Sequence, residues 1–228
     1  MLQGWQTAKL GEILAPKGYI RGPFGSALRR NELLNAGIPV YEQQHAIYGI
    51  RQFRFFISEE KFQEMKRFET KIDDLIISCS GTLGRVSTIK ADDPKGIISQ
   101  ALLLLRANTA VVLPQYLQYF FSSKKGYDAI VSRSTGSVQV NISKRADIEQ
   151  IPLMLPPICE QQVIVDTLVA LEDKIENNTA INHHLAVTSA TDSSPDIRRG
   201  KRASRKLASR ADSSRFALIC ANNGTVAA

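Results

Sequence analysis

A glycine-rich stretch near the N-terminus is the first place where the residue types could bind an anion. Gly18, Gly22 and Gly25 break regular helix and allow backbone amides to come close to a ligand. Four polar or cationic side chains in the same stretch could then contact a phosphate group: Arg21, Ser26, Arg29 and Arg30. The stretch is either a phosphate or DNA contact or an ordinary surface turn, and the sequence leaves both interpretations open.

Polar side chains after two predicted strands are a second candidate for recognition chemistry. Gln43, Gln44 and His45 directly follow a short apolar segment at 37–41. An amide side chain can donate to and accept from an adenine edge at the same time. Residues 78–85 (SCSGTLGR) form a small polar loop after the apolar run at 75–77. Such residues are also common in solvated loops, so neither segment establishes base recognition by itself.

Signals for catalysis are weak. The sequence lacks the phosphate-binding, dinucleotide-binding and nucleophile-elbow motifs, and also the N-P-P-aromatic motif of methyltransferases. Acid-x-Lys tripeptides typical of metal-dependent nucleases occur at 69–71 and 93–95, but no Pro-Asp precedes either one. Cys79 and His45 could be paired as nucleophile and base, although a cysteine after an apolar strand is usually a core residue. We therefore predict a non-catalytic chain without a metal site.

The charge of the chain is unevenly distributed. The net charge is +7, but eight of the 29 basic residues and only three of the 22 acidic residues lie from Ala186 onward. The preceding 185 residues carry 21 basic and 19 acidic groups. The folded part is therefore nearly balanced, and net charge is weak evidence that it binds nucleic acid.

Cysteine content and hydropathy indicate in which cellular compartment the protein functions. The three cysteines are few and far apart, which favours a reducing cytoplasm over a disulfide scaffold or a zinc site. No stretch approaches the roughly 18 apolar residues that a membrane-spanning helix needs. We expect a cytoplasmic protein with no membrane partner.

Alternating short strands and helices are predicted for residues 1–155. The patterns predict a strand or turn feeding a short helix at 5–14, strands at 75–77 and 97–105, and helices at 59–68 and 114–121. This alternation indicates an α+β fold, a mixed α/β domain.

A long helix is predicted for residues 156–187, beginning within a residue or two of Ile158. Pro156 and Pro157 suit the entry to a helix, and Glu160 places negative charge in its first turn. Seven residues along it follow a coiled-coil spacing: Ile164, Leu168, Leu171, Ile175, Asn178, Asn182 and Leu185. Asparagines in such a seam lower stability but fix register and partner. The alternative is an amphipathic helix packed on its own domain.

Residues 188–228 differ from the rest in composition. Ser, Thr, Ala, Arg and Asp dominate up to about Arg215, and no apolar period is visible. Composition predicts a basic, low-complexity and disordered tail. Its charges would bind nucleic acid only non-specifically.

Taken in order, several segments resemble the specificity (S) subunit of type I restriction–modification systems. They are GPFGSAL at 22–28, GIPVY at 37–41, DDLIISCSGTLGRV at 73–86, ISQALLLLR at 98–106, GSVQVNIS at 136–143 and the helical segment 151–185. The resemblance covers about residues 5–185. It implies a target recognition domain followed by one conserved spacer helix. A complete subunit has two such units, so the resemblance implies a half-subunit, apparently truncated where the heptads stop after Leu185.

The resemblance also implies partners and cofactors. Each domain would read one half of a split site in double-stranded DNA, and the spacer helices would pair antiparallel. Methyltransferase (M) subunits and a motor or restriction (R) subunit would complete the enzyme. S-adenosylmethionine, ATP and magnesium are expected only on those subunits, and this chain would pair through its helix as a homodimer or with a second half-subunit. The rival hypotheses are a protein-interaction adaptor that never touches DNA and an inactive truncated fragment.

On this hypothesis the polar loops named above contact DNA. Phosphate contacts are expected from Arg21, Ser26, Arg29, Arg30, Arg85 and Lys144. Base-edge contacts are expected from Gln43, Gln44, His45, Ser80, Gln139 and Asn141.

Overall fold

A computed structural model describes residues 4–23, 27–132 and 141–191. Within these residues the strands are β1 (Gln6–Lys9), β2 (Leu14–Arg21), β3 (Ile38–Tyr41), β4 (Phe56–Ile57), β5 (Leu75–Ser78), β6 (Val86–Thr88), β7 (Ile97–Ile98), β8 (Leu102–Ala107) and β9 (Pro152–Leu155). The α-helices are α1 (Gln43–Tyr48), α2 (Glu59–Glu64), α3 (Pro114–Ser122), α4 (Lys124–Val131), α5 (Arg145–Glu149) and α6 (Ile158–Thr191). Short 3-10 helices occupy Leu10–Ile13, Arg30–Glu32 and Lys66–Phe68.

The central sheet is antiparallel, with strand order β2-β8-β5-β6. Leu102 to Leu105 in β8 are all fully buried. Leu103 and Leu105 pack into one apolar cluster with α3 and α4, while Leu102 and Leu104 pack into another with Tyr41 and Ala46. Both faces of the sheet are therefore covered, which explains why β8 is continuously apolar rather than alternating. The predicted mixed α/β domain is confirmed.

Two smaller sheets complete the described part of the domain. Strand β3 pairs antiparallel with β4 and parallel with β7. Strand β1 pairs with β9, so the first strand of the domain lies beside the strand that leads into α6. This pairing joins the N-terminal segment to the base of the long helix.

The glycine-rich stretch was predicted to be a loop, but its first part is a strand. Residues 17–21 belong to β2, and Arg21 pairs with Leu103 of β8. A Cβ atom on Gly18 would lie 2.5 Å from the carbonyl oxygen of Arg106, and one on Gly22 would lie 1.9 Å from that of Ser99. These glycines are needed because backbone segments approach closely, and not because an anion must reach the chain.

Other differences concern short helices. Gln43 to Tyr48 form α1 where a polar loop was expected, and α4 and α5 were not predicted. Each of these helices has eight residues or fewer, which is too short for an apolar period to show clearly. Helices α2 and α3 and strands β5, β7 and β8 lie where the sequence predicted them.

Helix α6 begins at Ile158, as predicted, and continues to Thr191, past the predicted end at residue 187. Residues 192–228, which include most of the predicted disordered tail, lie outside the described residues. The chain divides into a unit Met1–Val169 and a unit Ala170–Ala228. Among the described residues, no helix has the length and apolar content needed to cross a bilayer.

The base of α6 is fixed to the first unit by a buried glutamine. The side chain of Gln161 is fully buried; its Oε1 accepts from the amide of Leu113 at 2.9 Å. Its Nε2 donates to the carbonyl oxygens of Val111 at 3.1 Å and Pro156 at 2.8 Å. One turn later Val165 is 5% exposed and packs into the same unit. The indole of Trp5 adds a hydrogen bond to Glu160 at 2.7 Å.

We predict that Gln161→Ala lowers the free energy of unfolding by about 2–4 kcal/mol, because it leaves buried backbone groups without partners. Urea denaturation of the full chain measures this change. The matched control is Gln162→Ala, which should cost less than about 0.5 kcal/mol, because the exposed amide of Gln162 donates to Asp166 on the same helix. Equal losses in the two variants would contradict the anchoring role of Gln161.

Candidate nucleic-acid interface

An open cleft brings three of the predicted DNA contacts together. We call it the reading cleft; it has a volume of about 520 Å³ and is lined by Tyr19, Arg21, Asn141, Ile142, Ser143, Lys144 and Arg145. Arg21 comes from the end of β2, whereas Asn141 and Lys144 come from the segment that enters α5. The cleft therefore combines two predicted phosphate contacts with one predicted base contact.

Two further predicted residues are linked to this cleft, Ser80 by backbone pairing and Gln43 by a side-chain hydrogen bond to Ser80. Ser80 forms an isolated antiparallel bridge with Asn141, and the amide of Ile142 donates to the carbonyl of Cys79 at 3.0 Å. The side-chain amide of Gln43 donates to the backbone carbonyl of Ser80. Because the amide nitrogen of Gln43 is engaged with this loop, we reassign Gln43 from base contact to positioning the loop.

His45 does not face solvent, contrary to its proposed role at a base edge. Its ring is fully buried and stacks on Phe53, with centroids 4.6 Å apart. Nδ1 accepts from the amide of Glu42 at 2.7 Å, and Nε2 lies 3.0 Å from the carbonyl oxygen of Gln52. These contacts fit a neutral ring with the proton on Nε2. His45 is therefore a core residue and leaves the proposed contact set.

We predict an acid-sensitive contribution to stability from His45. Burial lowers the pKa of this ring below its ordinary value of 6.5. Below about pH 6.5 the unfolded chain binds a proton that the folded chain does not, so the free energy of unfolding should fall as the pH decreases, by at most about 1.4 kcal/mol per pH unit. Urea denaturation between pH 7.5 and 5.5 should show a shallower decline for His45→Phe. Identical declines would contradict this assignment.

Gln44, Arg29 and Arg30 do not line the reading cleft. The amide of Gln44 donates to the carbonyl of Gln52 at 3.4 Å. Arg29 and Arg30 are exposed at the 3-10 helix Arg30–Glu32, where the amide of Arg29 donates to Glu32 at 2.6 Å. These three residues lie outside the lining of the reading cleft, and their contacts with DNA stay predictions.

Arg85 lies in a different cleft of about 360 Å³, together with Lys124 and Tyr127. Its guanidinium sits 5.4 Å from the centroid of the Tyr127 ring, and a Cβ on Gly84, which has φ +72°, would press against that ring at 3.2 Å. Ser26 and Gln139, the remaining candidates, lie outside the described residues.

The sequence interpretation missed two residues of the reading cleft. The guanidinium of Arg145 lies 5.3 Å from the centroid of the Tyr19 ring and forms an ion pair with Glu149 at 2.7 Å. Burial raises the pKa of Tyr19 to about 12, so its phenol is a neutral hydrogen-bonding group at physiological pH. The adjacent basic pair at 144–145 was the signal available in the sequence.

The groups considered for catalysis are occupied in structural roles. Cys79 is fully buried in the core, and burial raises the pKa of its thiol to about 12, which disfavours the thiolate that a nucleophile needs. Glu69 pairs with Lys95 at 3.2 Å, and Asp93 pairs with Arg51 at 2.8 Å. Within the described ranges, no group of histidine, cysteine and acidic side chains could hold a metal ion.

Similar folds occur in solved structures of type I systems. One is a chain from a structure concerned with complex assembly and conformational transition of the type I R-M system; it is 19% identical with a TM-score of 0.62, and the match covers 89% of this chain and 45% of that one. Another is the HsdS subunit from Thermoanaerobacter tengcongensis, with 17% identity, a TM-score of 0.57 and coverage of 79% and 40%. A third is the S subunit from M. genitalium, with 15% identity, a TM-score of 0.54 and coverage of 82% and 45%. The chain therefore spans less than half the length of each of these structures.

Sequence comparison gives a narrower assignment than these fold similarities. No curated protein gives a significant match to the chain. The family described as type I restriction modification DNA specificity domain matches residues 3–186. This match confirms the resemblance inferred from the sequence and the expectation of a specificity component without catalytic activity. The chain belongs to the type I restriction modification DNA specificity domain family.

Proposed function

We propose that the chain reads one half of a bipartite DNA site as part of a type I restriction–modification enzyme, without catalysing a reaction itself. The observation that carries this proposal is the family match over residues 3–186, which includes every residue of the reading cleft. A specificity component needs both cations for the DNA backbone and a polar group for a base edge. The cleft offers both.

Within the cleft, the division of labour follows from side-chain chemistry. Arg21 and Lys144 would hold phosphate groups, which fix the position of the domain but carry no sequence information. Asn141 can form two hydrogen bonds to an adenine in the major groove. The Ser80 bridge holds the backbone of Asn141, so the amide would be presented from a fixed position. We therefore assign sequence selectivity chiefly to Asn141.

Helix α6 would supply the second function, pairing with another unit of the same kind. Ile164 and Leu168 are half-buried, whereas Leu171, Ile175 and Leu185 are 52%, 66% and 59% exposed. Large apolar side chains exposed along one helix are typical of a surface that a partner covers. Asn178 and Asn182, both exposed, would fix the register of the pair.

The other components would supply the chemistry. Methyltransferase subunits would dock on this unit and bind S-adenosylmethionine, and a motor or restriction subunit would use ATP and magnesium. We place the complex in the cytoplasm, because a reducing compartment fits the free thiols of Cys79 and Cys159.

Selection from a randomised DNA duplex library tests the proposal. The full chain, alone and with methyltransferase subunits, is used to enrich bound duplexes, and enriched sequences are then tested by gel shift. Enrichment of one short block, seen at least in the assembled complex, would support the proposal. Absence of enrichment in both states, with intact docking of the subunits, would instead identify a protein-interaction adaptor.

A further inference from the structure

A second, larger groove beside the reading cleft gathers positive charge from distant parts of the sequence. We call it the cationic groove; it has a volume of about 810 Å³ and is lined by Pro16, Lys17, Tyr19, Ile20, Lys66, Arg67, Glu69, Lys71, Arg106 and Arg145. Six of these ten residues are basic and one is acidic. Residues 1–185 as a whole are nearly neutral, so this concentration of charge is not a consequence of overall composition.

Four of the six cations form no ion pair with an acid among the described residues. Lys17, Lys66, Arg67 and Lys71 are exposed, and no carboxylate among the described residues forms an ion pair with them. The carboxylate of Glu69 is already paired with Lys95. Like charges held close together repel each other, so this arrangement lowers stability unless an anion binds there.

One cation of the groove has a structural role. Arg106 forms two hydrogen bonds of 2.7 Å with Asp74, whose side chain is 1% exposed. The pairing with Asp74 raises the pKa of Arg106. Arg106 thus stabilises the wall of the groove through Asp74. The four exposed cations named above are the ones that could bind an anionic ligand.

The groove and the reading cleft share two residues. Tyr19 and Arg145 line both, with the Arg145 guanidinium over the Tyr19 ring. The cations therefore continue from the exposed Lys66 and Lys71, through Arg145, to the exposed Lys144 and the half-buried Arg21. Because the two surfaces are adjacent, a polyanion bound in the cleft would also contact the groove.

Two classes of polyanion could occupy such a surface: nucleic acid or an acidic face of a protein. Protein interfaces are depleted in lysine, whereas DNA backbone contacts use lysine and arginine freely. Three of the four cations without an ion pair are lysines, Lys17, Lys66 and Lys71. This composition and the continuity with the reading cleft favour nucleic acid.

We infer that the cationic groove binds the phosphate backbone of the duplex whose bases face the reading cleft. This inference rests on the proposed function. It adds a sequence-independent anchor at residues that were not among the expected DNA contacts. Its contribution should appear as salt dependence of binding, because each phosphate neutralised releases condensed counterions.

The test compares two triple variants of the full chain with equal net charge. Lys17→Gln/Lys66→Gln/Lys71→Gln removes groove charge, and Lys9→Gln/Lys90→Gln/Lys125→Gln removes three exposed lysines that line neither the groove nor the cleft.

Fluorescence anisotropy with a random-sequence duplex measures affinity across a salt series. The groove variant should lose about 0.9 in the slope of log K against log salt for each contact removed, with affinity at 0.1 M salt about tenfold lower or more. The control should change much less. The tail charges are identical in all three proteins and cancel in the comparison.

The outcomes separate this inference from the proposed function. Equal slope changes in the two variants would overturn the groove assignment while leaving sequence enrichment by the wild-type chain intact. An unchanged slope with loss of methyltransferase docking would also overturn it and would assign the groove to a protein partner. A reduced slope in a chain that enriches no sequence would support the groove as a DNA contact and refute the reading function.

Discussion

Leu171→Lys/Ile175→Lys should abolish pairing of the chain with a second unit through α6. Both side chains are more than half exposed in the single chain, so pairing through the seam would bury them. Burying each contributes about 1.5–3 kcal/mol, and introduced lysines would also repel across the seam. The dissociation constant of the pair should therefore rise by about 100-fold or more. Sedimentation velocity over a concentration series measures this change.

The control for this experiment changes apolar residues of the same helix that lie off the seam. Ile181 and Val187 are 48% and 50% exposed, and neither falls on the heptad spacing. Ile181→Lys/Val187→Lys should leave pairing within a few-fold of wild type. Equal weakening in both double variants would mean that α6 associates without a defined seam. A wild-type chain that stays monomeric at every concentration would contradict homotypic pairing.

Asn141→Ala should reduce sequence discrimination more than it reduces affinity for DNA in general. A bidentate amide contact to adenine contributes about 1–3 kcal/mol of discrimination, or roughly 5-fold to 150-fold between the preferred base and its competitors. Lys144→Gln should behave differently, because a phosphate contact weakens all sequences alike and lowers the salt slope by about 0.9. Competition gel shifts with single-base variants of the enriched site measure both effects.

Asn35→Ala provides the matched control, since Asn35 is exposed and does not line the reading cleft. It should leave both discrimination and affinity unchanged. If Asn141→Ala instead weakened all duplexes equally, Asn141 would be a backbone contact. If Lys144→Gln changed the preferred base, the division between positioning and reading within the cleft would be wrong.

Regular elements were predictable because local patterns determine them. The short run of four leucines in β8 is typical of a strand covered on both faces, and Pro114 fits the first turn of α3. The start of α6 followed from the proline pair before Ile158. The heptad spacing left open whether residues such as Leu171 face a partner or the chain's own domain, and the structure leaves Leu171 52% exposed.

Other features depend on tertiary contacts that no local pattern reveals. Gly18 and Gly22 suggested a loop, but their role is to admit neighbouring backbone. His45 looked like a polar loop residue, yet it fills the core because backbone groups of residues 42 and 52 satisfy both ring nitrogens. The cationic groove was not predictable from spacing, since its lysines and arginines are separated by up to 128 positions between Lys17 and Arg145.

The arrangement of enriched DNA sequences tests the central claim most directly. The chain, assembled with methyltransferase subunits, selects duplexes from a randomised library, and the selected sequences are aligned. A reading unit that pairs through α6 with a second copy should enrich two inverted copies of one short block at a fixed spacing, and the spacing should disappear in Leu171→Lys/Ile175→Lys. Random sequences, or blocks at variable spacing in the wild-type complex, would contradict a DNA reader held at a set distance by its helix.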